Sequence, residues 1–412
     1  MKRYFWAAAL VAMLNTSQAA DHWLASWQAS PQAAWRDSEF ALPTGVPAVL
    51  ERQTVRETAR ISVGGARLRI VLSNRYGAQP IVVGEARIGR PGEAAWQLTF
   101  GGRAGVVIPP GAPAVSDALE MPVAALERLA ISVYLPERTP LATFHWGAQQ
   151  TGAIVDGNHT ADATLRDAQA LHGRALLSGI WVDAPPEVTA ATDATASVVA
   201  TLGAVAAFGD SITDGNASTP DKDRRWPDYL AARLSLAGVA VVNAGISGAR
   251  LLGDRMGVNA AARFEQDVLS QPGVRTAIVL MGINDIGWPQ SIFAPQEPPM
   301  TADRMIAAYR QLIAQARARK LRIIGATLTP FEGTAIGGYY TPAKDALRRQ
   351  VNQWIRECKE FDAVADMDAL MRDPDHPSRM LPRYDSGDHL HPGDAGYEAM
   401  AAEATRVLLS RY

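Results

Sequence analysis

Two different hydrophobic periods divide this chain. In residues 21–183 apolar positions recur every second residue in short runs: Leu68, Ile70 and Leu72 alternate with polar or smaller neighbours, as do Ile131, Val133 and Leu135. That spacing puts alternate side chains on one face of a half-buried strand. Turn-forming clusters separate the runs at Arg90-Pro91-Gly92, Gly101-Gly102 and Pro109-Pro110-Gly111. Gly64-Gly65, between residues 59–63 and 66–73, reads as a two-residue hairpin turn. Many short strands broken by Gly and Pro predict a β-rich, sandwich-like domain over 21–183. No residue cluster in this half makes a second active site.

Residues 184–198, opening on Ala184-Pro185-Pro186 and running on in Ala and Thr, read as a connector. The pattern then changes. Residues 204–208, 239–243, 276–281 and 321–327 are apolar runs of strand length, with helical stretches between them at 226–237 and 301–319. In the second stretch Met305, Ile306, Tyr309, Leu312, Ile313 and Ala316 form one apolar stripe. Buried strands alternating with amphipathic helices predict an α/β domain over 199–412, with a parallel sheet covered on both faces.

Composition narrows the classes. At 412 residues two domains are the natural expectation, and 48% hydrophobic with 20% charged residues is ordinary for a globular protein. A formal net charge of -2 gives no electrostatic reason to expect nucleic acid or an anionic membrane as partner. Lys2 and Arg3, an apolar stretch from Tyr4 to Leu14, and the small residues Ser17, Ala19 and Ala20 read as an export signal over residues 1–20. The stretch is shorter than the roughly 20 residues a bilayer span needs. The expected location is therefore periplasmic or extracellular. The single cysteine, Cys358, excludes an intramolecular disulfide; it shares a helical face with Leu347, Val351, Trp354 and Ile355 and reads as a buried thiol.

The chemistry lies in four short blocks of the second half: Gly209-Asp210-Ser211-Ile212-Thr213-Asp214-Gly215, Gly245-Ile246-Ser247-Gly248, Gly282-Ile283-Asn284-Asp285 and Asp388-His389-Leu390-His391-Pro392. Ser211 follows the first strand, at the edge where open parallel sheets place ligands. It offers a nucleophile, His391 a base, and Asp388, three residues before it, a carboxylate that fixes the imidazole tautomer. Gly248 lacks a Cβ that would obstruct an approaching acyl oxygen, and Asn284 carries an amide; with the Ser211 N–H they are candidate oxyanion donors. Pro392 and Gly393 sit where the last helix begins. Asp210, Asp214 and Asp285 read as turn or backbone-bonding residues rather than as chemistry. A metal site on His389 and His391 is the rival, but no third ligand is suggested, so neither metal nor cofactor is expected.

These blocks resemble the GDSL or SGNH hydrolase family over roughly residues 204–412. All four residues that name the family are present as Ser211, Gly248, Asn284 and His391, and Asp388 matches its Asp-x-x-His acid. Arg225-Trp226-Pro227-Asp228-Tyr229-Leu230, and less specifically Leu72-Ser73-Asn74-Arg75-Tyr76-Gly77, are similar to exported bacterial members. The resemblance implies a three-layer α/β/α fold and metal-free hydrolysis of carboxylic esters.

Loops after the third and fourth strands are expected to wall the pocket, with Trp288, Phe293, Tyr339 and Tyr340 as candidate substrate contacts. Without a long apolar lid, short acyl groups are favoured. An acetylated saccharide is the leading substrate and a lysophospholipid its rival. A secreted glycan-binding protein with an inactive hydrolase half is the non-enzyme alternative. A third role for the β-rich half is to pack beside the active site and shape its entrance.

Overall fold

The computed structural model describes residues 22–35, 40, 42–183 and 202–410. The export signal and the connector lie outside these residues. Two large antiparallel sheets, with three two-stranded ones beside them, make up the first half among the described residues. One joins Trp23–Gln28, Leu177–Asp183, Gly65–Ser73 and Pro113–Val115, with Leu119–Val123 also paired to Gly65–Ser73. The other runs Gln169–Leu171, Gly152–Asp156, Gln53–Arg60, Arg128–Leu135, Glu85–Gly89 and Trp96–Gln97. Leu68, Ile70, Leu72 and Ile180 from the first sheet share one core with Val55, Ile131 and Val133 from the second. This is a β-sandwich, in which the inward faces of two sheets supply the core.

The hairpin expected at Gly64-Gly65 is absent. Gln53–Arg60 and Gly65–Ser73 lie in different sheets, so residues 61–64 cross from one to the other. Crowding explains the glycines: a Cβ on Gly64 would stand 2.2 Å from the Val123 carbonyl oxygen, and one on Gly65 2.7 Å from that of Asp183. A Gly-Gly pair signals close backbone approach as readily as a turn.

The second half holds a five-stranded parallel sheet in the order Val241–Gly245, Ala204–Gly209, Val274–Leu280, Arg322–Ala326, Ala363–Ala365. The strands begin and end within two residues of the expected runs. Every residue of Ala204–Gly209 is buried, as a central strand covered on both faces requires. The expected helix over 301–319 is Ala302–Ala318, with Thr301 accepting from the Arg304 N–H as its cap. The helix expected over 226–237 stops at Leu234 and tightens into a 3₁₀ turn at Ser235–Ala237, ended by Gly238 in the left-handed conformation. The last helix, Asp394–Leu409, has Gly393 as its N-cap, so it begins directly after Pro392 and Gly393 as expected. Cys358 is the C-cap of Pro342–Glu357 and is only partly buried, because the apolar stripe ends where the helix does. Among the described residues no helix is long and apolar enough to cross a membrane.

The two halves are fastened together. Trp23–Gln28 packs on the edge strand Val241–Gly245. The Ala25 N–H donates to the Pro272 carbonyl (2.9 Å) and the Val241 N–H to Ser62 Oγ (3.0 Å). Arg128 reaches Asp223, and Arg60 Nη2 donates to the Asp228 carbonyl (2.9 Å). Buried backbone groups of one half thus find partners in the other, which fixes their relative position.

Candidate active site

The parallel register delivers three strand ends to one place. Gly209, the last residue of its strand, pairs with Gly245 on one side and Leu280 on the other. Just beyond lie Ser211, the loop Ile246–Gly248 and Asn284. Ser211 opens a one-turn helix, Ser211–Asp214, capped by Asp210, whose Oδ1 accepts from the Ile212 N–H (3.1 Å). Gly215 ends the turn at φ +100°.

Ser211, His391 and Asp388 form a hydrogen-bonded line. His391 Nε2 is 2.8 Å from Ser211 Oγ, and Nδ1 is 2.6 Å from Asp388 Oδ2. The other carboxylate oxygen accepts from the backbone N–H groups of Leu390 (2.9 Å) and His391 (2.7 Å). Those bonds pin the carboxylate so that only Oδ2 faces the ring. Partial burial opposes ionisation of Asp388, but the hydrogen bond and charge of His391 and the two backbone donors outweigh it and hold its pKa far below the usual carboxylate range. An ionised carboxylate is acceptor-only, so Nδ1 carries the imidazole proton and Nε2 is left to accept from the serine. The neighbouring His389 points its Nδ1 at Asp385 instead, so the two histidines of the rival metal site each serve a separate carboxylate.

The oxyanion candidates have the required freedom. Among the described residues neither the Ser211 nor the Gly248 N–H donates to another group. The reason for glycine at 248 differs from expectation. Its φ is +74°, and a Cβ there would meet Met256 Sδ at 2.5 Å, so the constraint is backbone conformation and packing behind the loop. Asn284 is oriented by three contacts: Nδ2 donates to the Ala249 carbonyl (3.0 Å), while Oδ1 accepts from Trp288 Nε1 (3.0 Å) and from the Tyr339 hydroxyl (2.8 Å). An indole N–H can only donate, so the oxygen must face Trp288. One Nδ2 proton remains uncommitted.

Trp288 and Tyr339 therefore do not act as pocket walls. Both are about 1% exposed. Phe40 stacks on the Trp288 ring and Arg250 sits 5.0 Å from its centroid. Phe293 and Tyr340 are partly buried, packed on Trp288 and on Phe331 respectively. Lys344 Nζ joins the two loops that carry Trp288 and Tyr339 by donating to the carbonyls of Gly287, Pro289 and Gly338. Two of the four aromatic residues expected to contact substrate, Trp288 and Tyr339, brace Asn284 instead.

Two residues near the site, His145 and Asn216, lie outside the four blocks, and Asp214, inside the first, links one of them to the loop before Gly248. His145 of the β-sandwich is buried, with Nδ1 2.9 Å from the Ser30 carbonyl oxygen and Nε2 2.9 Å from Asp214 Oδ1. Asp214 Oδ2 accepts from both the N–H and the Oγ of Ser247, the residue before Gly248. The first half thereby touches the loop carrying an oxyanion candidate. Asn216 places Nδ2 3.4 Å from His391 Nε2.

Two buried acids beside the site have a pH consequence. Burial pushes Asp210 up to about 7 and Asp285 up to about 6, against the backbone hydrogen bonds each accepts. A carboxyl whose folded pKa lies above its unfolded value stabilises the fold fully below the unfolded value, near 3.9, and loses that contribution as pH rises through about 7. Asp210→Asn keeps the cap and cannot ionise. Thermal unfolding of the two proteins should give similar midpoints near pH 4.5, with the variant gaining several degrees over the parent by pH 8. Parallel midpoint curves would show that Asp210 is ionised throughout.

Residues 207–399 match the family model described as the GDSL-like lipase/acylhydrolase family. No curated protein matches the chain. Among solved structures it is similar to Axe2, an acetylxylan esterase from Geobacillus stearothermophilus, at 23% identity over 51% of this chain and 95% of that one, with a TM-score of 0.39. A GDSL-like lipase from Bacteroides thetaiotaomicron VPI-5482 is similar at 17% identity over 50% of this chain and 86% of that one, with a TM-score of 0.38. The matched segment contains the end of the strand before Ser211, the loop Ile246–Gly248, Asn284 and the Asp388–His391 pair, so the likeness to the GDSL-like lipase/acylhydrolase family takes in every residue of this arrangement.

Proposed function

We propose that the protein is a carboxylic ester hydrolase that works through an acyl-Ser211 intermediate, on short acyl esters of saccharides, outside the cytoplasm. The observation that carries the chemistry is the line from Asp388 through His391 to Ser211 Oγ. Ser211 Oγ attacks the ester carbonyl carbon while His391 Nε2 takes its proton. The carbonyl oxygen gains the negative charge, facing the Ser211 and Gly248 N–H groups and the free Nδ2 proton of Asn284. The tetrahedral species collapses, the bond to the alcohol breaks, and His391 returns the proton to the departing oxygen. Water, deprotonated by the same imidazole, then releases the acid and restores the serine. Asp388 stays ionised throughout and stabilises the imidazolium.

Polar lining of the cavity beside His391, by Gln149, His172 and Asn216 with Trp146, favours a polar alcohol over a lipid one. Neither this cavity nor a larger one of about 510 Å³, lined in part by Ile286, Met300, Lys344 and Leu347, is lined by Ser211, Asp388 or His391; the smaller is linked to them through Asn216, whose Nδ2 is 3.4 Å from His391 Nε2. Hydrolysis of p-nitrophenyl esters from acetate to palmitate tests the acyl preference. Turnover should peak at acetate or butyrate; a maximum at long chains would make the lysophospholipid reading primary.

Asn284→Ala should lower kcat by about 10²–10³-fold with KM nearly unchanged, the usual effect of losing one oxyanion donor. Tyr339→Phe, which removes one of the two bonds to Oδ1, should show the same pattern more weakly. Unchanged kcat in Asn284→Ala would take the amide out of the mechanism.

A further inference from the structure

Beside His391, and built mostly by the β-sandwich, lies a cavity of about 290 Å³. From this geometry we infer that it is the subsite for the sugar ring whose hydroxyl is esterified, so that the first domain supplies the alcohol specificity of the second. The inference rests on the ester-hydrolase reading and adds where the alcohol lies and what it is.

Position is the first argument. Asn216 lines the cavity and also stands 3.4 Å from His391 Nε2, the atom that returns a proton to the departing alcohol. A group held in this cavity therefore sits on the leaving-group side of the imidazole.

Chemistry is the second. Trp146 contributes a partly buried ring whose Nε1–H is already satisfied by the Pro43 carbonyl (2.9 Å), so the ring makes no further polar demand. An aromatic face of that kind suits the C–H face of a pyranose. Around it the side chains of Gln149 and His172 have no hydrogen-bond partner among the described residues, and the Asn216 side chain has only the long contact to His391, its backbone N–H and carbonyl being bonded to Ser211 and Tyr397. Amide and imidazole groups spread about one aromatic face match a ring bearing several hydroxyls. An alkyl chain would leave all of them unpaired, which is costly once they are desolvated.

Rigidity is the third. The loop that carries Trp146 and Gln149 is fastened on both sides to the hydrolase domain. His145 is held by Asp214; at the other end Gln150 Nε2 donates to Asp223 Oδ1 (2.7 Å) and Thr151 donates to Asp221 through its N–H and its Oγ1. Gln149 itself has φ +49°, a conformation that non-glycine residues rarely adopt, and the Asp221 N–H bonds to its carbonyl (3.0 Å). Such strain is maintained where the surroundings over-determine it, as in preorganised binding loops.

The test uses the full chain with Trp146→Ala, Trp146→Phe and Gln149→Ala, none of which touches the catalytic line. Two esters are compared: p-nitrophenyl acetate, with no sugar, and chemically acetylated cellotetraose. Trp146→Ala should lower kcat/KM about tenfold or more on the saccharide ester, through KM, and leave p-nitrophenyl acetate within about twofold. Trp146→Phe should retain most of the saccharide activity. Equal losses on both esters would reduce the loop to a structural support, and no loss on the saccharide would overturn the subsite. Cellotetraose binding to Ser211→Ala, followed by tryptophan fluorescence, separates the two readings. Saturable binding that is lost when Trp146→Ala is added supports the subsite even if Ser211-dependent turnover is missing. Turnover of p-nitrophenyl acetate without any cellotetraose binding leaves the esterase standing and sinks the subsite.

Discussion

Ser211→Ala should lower kcat on p-nitrophenyl acetate by at least about 10⁴-fold, because loss of the nucleophile of a triad removes the covalent route altogether. The fold should be unaffected. Ser211 is 7% exposed, its Oγ bonds only to His391 among the described residues, and the Asp210 cap on the Ile212 N–H does not involve it. An alanine at the first position of the short helix therefore leaves the helix and sheet edge intact. Whatever rate remains reports the oxyanion donors acting on water alone. A fluorophosphonate reagent should phosphonylate the parent protein at residue 211 and leave the variant unlabelled. Equal turnover, or labelling of Ser247 in place of Ser211, would reassign the nucleophile.

Asp388→Asn should cost about as much, on the order of 10⁴-fold in kcat, although only one atom changes. The structure explains why. Oδ1 of residue 388 is committed to the N–H groups of Leu390 and His391, so the amide of the variant must keep its oxygen there and turn its NH₂ toward His391 Nδ1. A donor in that place stabilises the imidazole with the proton on Nε2, which can no longer accept from Ser211. The base is lost while the geometry survives. Asp388→Ala leaves the ring free to choose its tautomer, and is expected to be no worse than the asparagine variant. Imidazole ¹⁵N shifts should show the proton on Nδ1 in the parent and on Nε2 in Asp388→Asn. Full activity in Asp388→Asn would mean that another group orients His391.

Both variants act on residues that four local motifs had already named, and the reason they could be named is physical. A nucleophile at a strand end, and an acid three residues before its base, are relations within one turn of chain. The Asp388 carboxylate reaches its own histidine through backbone bonds to the next few residues. The alternation in residues 21–183 and the apolar runs of the second half are likewise local patterns, set by which face of a strand or helix must be buried. They determined the sandwich and the parallel sheet.

Relations across the chain were not legible. His145 and Asp214 are 69 positions apart, and nothing in Phe144-His145-Trp146-Gly147 distinguishes a buried clamp from a loop histidine. Trp288 and Tyr339 sat in the right loops but were given the wrong role. Whether an aromatic ring faces a ligand or an amide depends on burial, which Phe40 and Arg250 impose from elsewhere in the chain. Gly64-Gly65 carried the composition of a hairpin turn, and only the Val123 and Asp183 carbonyls packed against it reveal a crossing between sheets.

The sequence by itself determined which groups are the candidates for the chemistry, because each block lies within a few residues of chain. Tertiary structure alone decided which groups hold those parts in place and what lines the space beside them. Those contacts come from the packing of two domains, and no local spacing encodes them.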